Sequence, residues 1–165
     1  MTTHAIDVTT PDDLEIRVTR AFDAPRSLIF ECHTQPELVR RWLLGPPGWS
    51  MPVCEIDLRV GGQYRYVWRS DTDGGEFGFR GEYREIRAPE RVVHTEHVDG
   101  ADATDAPALC TLELTEQGGR TLLTQSMRFP TSALRDQALA FAASPGFPIS
   151  LGIHARNSRG ASGHS

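Results

Sequence analysis

The stretches Gln63-Tyr64-Arg65-Tyr66-Val67-Trp68-Arg69 and Phe77-Gly78-Phe79-Arg80-Gly81-Glu82-Tyr83 decide the fold. In both, large rings alternate with charged or small residues. Successive side chains of a strand point to opposite faces, so Tyr64, Tyr66 and Trp68 share one face while Arg65 and Arg69 take the other. Phe77, Phe79 and Tyr83 repeat the arrangement on the next strand, with Gly81 between them. A missing side chain there lets the sheet bend or leaves room on its apolar side. The pair describes a sheet with one aromatic face and one solvated face.

Working outward, the two-residue period predicts strands at Val53 to Leu58, Gln63 to Arg69, Phe77 to Ile86, Val92 to Val98, Leu109 to Thr115 and Thr121 to Phe129. Gly61-Gly62, Asp73-Gly74-Gly75, Ala88-Pro89-Glu90 and Gln117-Gly118-Gly119 are turn signals between them. Short connections of this kind make an antiparallel meander. Leu123, Gln125, Met127 and Phe129 share a face of its last strand. Before the meander, Leu14, Ile16 and Val18 alternate with Glu15, Arg17 and Thr19 as one further strand.

Two short helices follow that first strand. Asp23-Ala24-Pro25 suits a helix start, with Asp23 as cap and Pro25 in the first turn. Thr34-Gln35-Pro36-Glu37 restarts a second helix carrying Leu38, Val39, Trp42 and Leu43, and Gly45-Pro46-Pro47-Gly48 stops it. After the meander, Thr131-Ser132 caps a last helix through Ala133, Leu134, Ala138, Leu139 and Phe141. The fold class is α+β: a curved antiparallel sheet whose apolar face must be covered by these helices. Helices laid on a curved sheet leave either a dry core or a ligand-sized cavity, and the pattern alone leaves both open.

Composition narrows the partners. The chain has 165 residues, 39% of them hydrophobic and 24% charged, with a net charge of −5. A chain of this length buries roughly 70% of its unfolded surface without staples. The negative balance supplies no basic field for a phosphate backbone, which argues against nucleic acid. No run of about 18 apolar residues is present to span a membrane, and Met1 to Pro11 lacks the apolar core of a secretory signal. Cys32, Cys54 and Cys110 are three and scattered, which points to a reducing, cytoplasmic setting and to neither disulfides nor zinc. Residues 1–12 read as a flexible start, 13–143 as the domain, and 144–165 as an irregular tail.

Three stretches then carry a family resemblance: IRVTRAFDAPRSLIFECHTQPELVRRWLLGP at 16–46, EIDLRVGGQYRYVWRS at 55–70 and FRGEYREIRAPERVVHTE at 79–96. In that order and spacing they resemble the SRPBCC (START-like) superfamily, and within it the activator of 90-kDa heat-shock-protein ATPase homologue-like C-terminal domain family. The resemblance runs from about Leu14 to Leu139. It implies the helix-grip fold, in which a long, amphipathic C-terminal helix grips the cavity. It also implies carriage or sensing of apolar small molecules, with some relatives acting as aromatic polyketide cyclases. The eukaryotic namesake adds a separate chaperone-binding domain, so co-chaperone activity is not carried over from the name.

The cavity candidates are Trp42, Trp49, Tyr64, Tyr66, Trp68, Phe79, Tyr83, His94, Glu96, Gln125, Met127 and Phe129. Of these, His94 and Glu96 share one strand face between Val92 and Val98. The ordinary expectation turns that face to solvent; turned inward, burial would bring both groups toward neutral pH for acid–base work. His94 and His97 point to opposite faces and cannot chelate one metal. Cys32-His33 are adjacent on a helix and diverge, so they make no nucleophile–base pair. No GxSxG, HExxH, P-loop or GxGxxG occurs. Asp57-Leu58-Arg59 before Gly61-Gly62 is expected to be structural, with Asp57 paired to backbone or arginine.

The helical pattern fails after Leu139, because Pro145 cannot continue it. A change of the reading frame, or of the gene's end, near Phe141 is the expected source, and it would leave a shortened lid and a cavity open on one side. Three functions follow, with no catalytic residue, metal or cofactor assigned. The first is a binding domain for a hydrophobic or aromatic small molecule. The second is a cyclase or dehydratase-like enzyme in the same cavity using His94 with Glu96 or Gln125, and the third an interaction module, including a homodimer.

Overall fold

A computed structural model describes residues 6–43, 47–98 and 106–142. Its strands and helices run in the order β1 (Asp7–Thr9), β2 (Glu15–Phe22), α1 (Arg26–Thr34), α2 (Pro36–Leu43), β3 (Trp49–Ile56), β4 (Gln63–Ser70), β5 (Glu76–Arg87), β6 (Arg91–Val98), β7 (Ala108–Gln117), β8 (Arg120–Arg128) and α3 (Ser132–Ala142). The eight strands form one antiparallel sheet in the order β1-β2-β8-β7-β6-β5-β4-β3. The meander therefore stays in sequence order, and β2 closes back on its last strand. This is the helix-grip arrangement, a curved sheet with three helices.

Local chemistry accounts for the turns. Gly118 and Gly119 form the whole connection between β7 and β8 with φ of 60° and 78°, the double left-handed turn that matches strand twist. At the β3–β4 turn, Gly61 has φ of 85° and its N–H donates to the Tyr83 carbonyl at 2.9 Å. Asp57 pairs with Arg59 at 2.8 Å across that turn, as expected. All positive-φ residues among those described are glycines.

Several local details differ from the sequence reading. Asp7–Thr9 adds a short, exposed edge strand beside β2 where no apolar period marks one. Helix α1 has Pro25 at its N-cap with no side-chain cap, and Asp23 instead pairs with Arg120 at 2.9 Å. β3 begins at Trp49, earlier than expected, and passes through an irregular register between Ser50 and Val53. Thr131 does cap α3, accepting the Leu134 N–H at 3.2 Å. The segment from Pro145 onward lies outside the described residues.

The interior holds two packed clusters. One joins α1 to the sheet through Phe22, Ile29, Phe30, Leu112, Leu114 and Leu123, with Tyr64, Tyr83 and Val92. The other joins α2 to β3, β4 and β5 through Val39, Leu43, Met51, Cys54, Trp68 and Phe79. Trp68 is fully enclosed, and its indole N–H donates to the Leu43 carbonyl at 2.8 Å. Arg135 of α3 donates to the Asp12 and Glu15 carbonyls at 2.8 and 3.4 Å, which ties that helix to the start of β2.

Candidate functional site

Two helices joined by the single residue Gln35 cannot cover a curved sheet without a seam. The cavity lies along that seam. Val39 and Leu43 line it from one cluster, and Tyr64, Tyr83, Val92 and Leu112 from the other. Its roof comes from the end of α1 and the face of α2, namely His33, Thr34, Val39, Trp42 and Leu43. No residue of α3 lines it among the described residues. Among the described residues the helix pair is what covers the cavity. Trp42 fastens the roof, with its indole N–H donated to the Cys32 carbonyl and its ring 4.8 Å from that of His33. His33 in turn donates from Nδ1 to the Ile29 carbonyl at 2.8 Å.

The centres of water-sized molecules have about 70 Å³ to occupy in the cavity. One water needs about 10–15 Å³ of such space. The cavity therefore holds several waters or one small organic group.

Its polar end is built on β6, and here the ordinary sequence expectation is corrected. His94 and Glu96 face inward and line the cavity with Gln125 of β8. Register explains it: His94 lies opposite inward-facing Tyr83 on one side and inward-facing Cys110 on the other. The β5–β6 pairing jumps from Arg80↔His97 to Tyr83↔His94, then shifts by one residue before Glu85↔Val93. That irregularity brings Ile86, and not Glu85, to the inner face with Tyr83, in the manner of a β-bulge.

The interrupted ladder also frees the Thr95 carbonyl for side chains. It accepts the Tyr64 hydroxyl at 2.9 Å and His94 Nδ1 at 2.9 Å. A carbonyl only accepts, so Nδ1 carries the proton and Nε2 of neutral His94 keeps its lone pair. The Thr95 hydroxyl accepts the Glu82 N–H at 3.0 Å, replacing a lost rung. Tyr64 also lies 3.5 Å from Glu96 Oε1.

Burial sets the protonation states. It pushes the Glu96 carboxyl up to about 7, with the Tyr64 hydroxyl opposing the shift. It holds His94 below its ordinary value against the Thr95 hydrogen bond. Tyr64, Tyr66 and Tyr83 are all driven up by desolvation and stay phenolic. The Cys110 thiol is raised by burial and then by Glu96. A neutral imidazole beside a carboxyl that titrates near neutrality can exchange a proton with a bound molecule.

Among the candidates named from sequence, Trp42, Tyr64, Tyr66, Tyr83, His94, Glu96 and Gln125 come together at the cavity. Trp68 and Phe79 are in the α2 cluster, and Trp49 packs against it. Met127 is buried on β8 and Phe129 half-buried just beyond its end, neither lining the cavity. The sequence reading omitted His33, Thr34, Val39, Leu43, Val92 and Leu112. Val92 and Leu112 were findable, because they share faces with His94 and with the aromatic strands. The described residues contain no group of three His, Cys, Asp or Glu side chains able to hold a metal ion. No described helix is long and apolar enough to cross a membrane.

Comparison with known proteins bears on this geometry. The sequence model of the Activator of Hsp90 ATPase homolog 1-like protein family matches residues 23–152. The chain belongs to that family. No match was found among curated protein sequences. A crystal structure from Rhodobacter sphaeroides is 25% identical, with a TM-score of 0.78 over 96% of this chain and 97% of that one. A solution structure from Staphylococcus epidermidis is 23% identical, with a TM-score of 0.71 over 92% and 94%. A Plasmodium falciparum protein described as an HSP90 activator is 19% identical, with a TM-score of 0.57 over 78% and 87%. The last two likenesses are of fold. The family Activator of Hsp90 ATPase homolog 1-like thus places its helix pair, in this chain, over a small cavity with a histidine and a glutamate at one end.

Proposed function

We propose that this member of the Activator of Hsp90 ATPase homolog 1-like family binds a small hydrophobic or aromatic molecule in the seam cavity. Family membership supports a binding domain or a co-chaperone-like module; the cavity favours the first. The observation that carries the reading is the wall itself: Tyr64, Tyr66, Tyr83 and Trp42 line a space with His94, Glu96 and Gln125 on the sheet and His33 and Thr34 in the roof. Small-ligand sites have this composition. Free, mostly buried thiols at Cys54 and Cys110 support a reducing, cytoplasmic setting.

Trp42 is a built-in reporter for the test. Native mass spectrometry of the purified chain is expected to show an added small-molecule mass. A panel of one-ring aromatics is expected to change tryptophan emission in the parent and not in Trp42→Phe. Absence of any added mass, together with emission that no compound changes, overturns the reading.

A second reading is acid–base catalysis in the same cavity, favoured by the inward His94 and Glu96. It requires that Glu96→Gln retain ligand binding while turnover of any ligand found by the first experiment is lost. Equal turnover in that variant removes it.

A further inference from the structure

We propose that the seam cavity selects a small organic cation, an alkyl- or arylammonium group, with Glu96 as its counter-ion and the surrounding tyrosines and Trp42 as an aromatic wall. This rests on the cavity reading above and names the ligand's chemistry.

The argument begins with a count of donors and acceptors. The Tyr64 hydroxyl is given to the Thr95 carbonyl, and so is the His94 Nδ1 proton. Tyr66 and Tyr83 share a hydrogen bond with each other. What remains at the polar end is the His94 Nε2 lone pair and both Glu96 oxygens as acceptors, with the Gln125 amide, which both donates and accepts, beside them. Glu96 has only the long 3.5 Å contact from Tyr64 as a partner among the described residues. An enclosed carboxylate so poorly partnered is costly. A cation is the complement that relieves it.

The walls match the same ligand. Tyr64 sits 5.1 Å from Tyr66 and 5.7 Å from Tyr83, with the rings tilted at 43° and 49°. Trp42 closes the roof. The rings pack on one another as one aromatic wall, and aromatic rings attract ammonium groups through the ring quadrupole. Among the described residues no arginine lines the cavity to repel a cation. The available volume suits a small substituted ammonium head.

Glu96 is faced by Tyr64 and Tyr66 of β4, Tyr83 of β5, His94 on its own strand, Cys110 of β7 and Gln125 of β8. His33 of α1 lies across the cavity. The phenols and the thiol remain protonated, so Glu96 is the anion of the site. It ionises as pH rises through about 7.

The test is calorimetric titration of the full chain with two matched pairs: choline against 3,3-dimethylbutan-1-ol, and benzylammonium against benzyl alcohol. At pH 8 each cation is expected to bind at least about tenfold more tightly than its neutral partner. Choline keeps its charge at every pH, so its affinity is expected to fall from pH 8 to pH 6 as Glu96 takes up a proton. Glu96→Gln should cancel both the preference and the pH dependence while still binding the alcohols. Neutral ligands binding as well as cations would sink the inference and leave the cavity reading standing. A preference that survives Glu96→Gln would also sink it. Binding of none of the four compounds would sink the cation inference, while the cavity reading answers to the mass and emission measurements above.

Discussion

A Cβ placed on Gly81 would lie 1.8 Å from the Thr95 carbonyl oxygen and 2.6 Å from Cε1 of Tyr64. β5 therefore crosses β6 where no side chain fits, and the obstacle is backbone that cannot swing away. That same carbonyl holds Tyr64 and His94 in place. Gly81→Ala is expected to cost at least about 3 kcal/mol and to disturb the cavity's polar end. Urea denaturation measures the first effect, and the histidine ring NMR signals of His94 report the second. A cost under about 1 kcal/mol would show that the strands separate easily.

Trp68 offers a test of the second cluster. Trp68→Phe leaves the buried Leu43 carbonyl without its donor, at about 1–3 kcal/mol. Trp68→Ala adds a cavity and is expected to cost about 3–5 kcal/mol. Thermal and urea unfolding of both variants should rank in that order; no loss in Trp68→Phe would mean that the hydrogen bond contributes nothing, and equal losses that the cavity adds nothing.

The meander was legible because each of its strands carries its own period and its own turn residues. Gly118-Gly119 and Gly61-Gly62 marked hairpins at the right places, and the rings of β4 and β5 chose their face unaided. The face of β6 was not legible. Val92 and Val93 are both apolar and both buried, so the period is ambiguous where the bulge shifts register. The roof was hidden for another reason. Which side of α1 meets α2 depends on the junction at Gln35, and no residue type announces that angle. Asp23 looked like a cap by composition, but Arg120 competes for its carboxylate across the chain.

Glu96 and His94 should give opposite pH dependences of stability. Glu96 rises from an ordinary 4.5 to about 7 in the fold. Between those values the unfolded chain is ionised and the folded one is not, so stability falls as pH rises through that window. His94 is lowered from 6.5, so its contribution is present above 6.5 and lost as pH falls through the folded value. The two partly cancel in the parent. Glu96→Gln is expected to leave stability rising with pH, and His94→Gln to leave it falling between about 4.5 and 7. Unfolding midpoints collected from pH 4.5 to 8 decide it; parallel profiles in all three proteins would contradict the burial of both groups.

Helix α3 is tethered more than it is packed. Its described side chains are at most half-buried, while Thr131 caps it and Arg135 reaches the Asp12 and Glu15 carbonyls. Thr131→Ala should lower stability by about 1 kcal/mol. Arg135→Ala should speed amide exchange in α3 before it affects β7 or β8. Uniform loss of protection over the sheet would show instead that α3 is integral to the core.

The seam between the clusters separates two tasks. The sheet floor is knit by ladder hydrogen bonds, and the roof residues His33, Thr34, Val39 and Trp42 take no part in them. Exchanging those four side chains redraws the inside of the pocket and leaves every rung of the ladder intact. Ligand preference can thus drift along one short helical hairpin, with the architecture inherited unchanged.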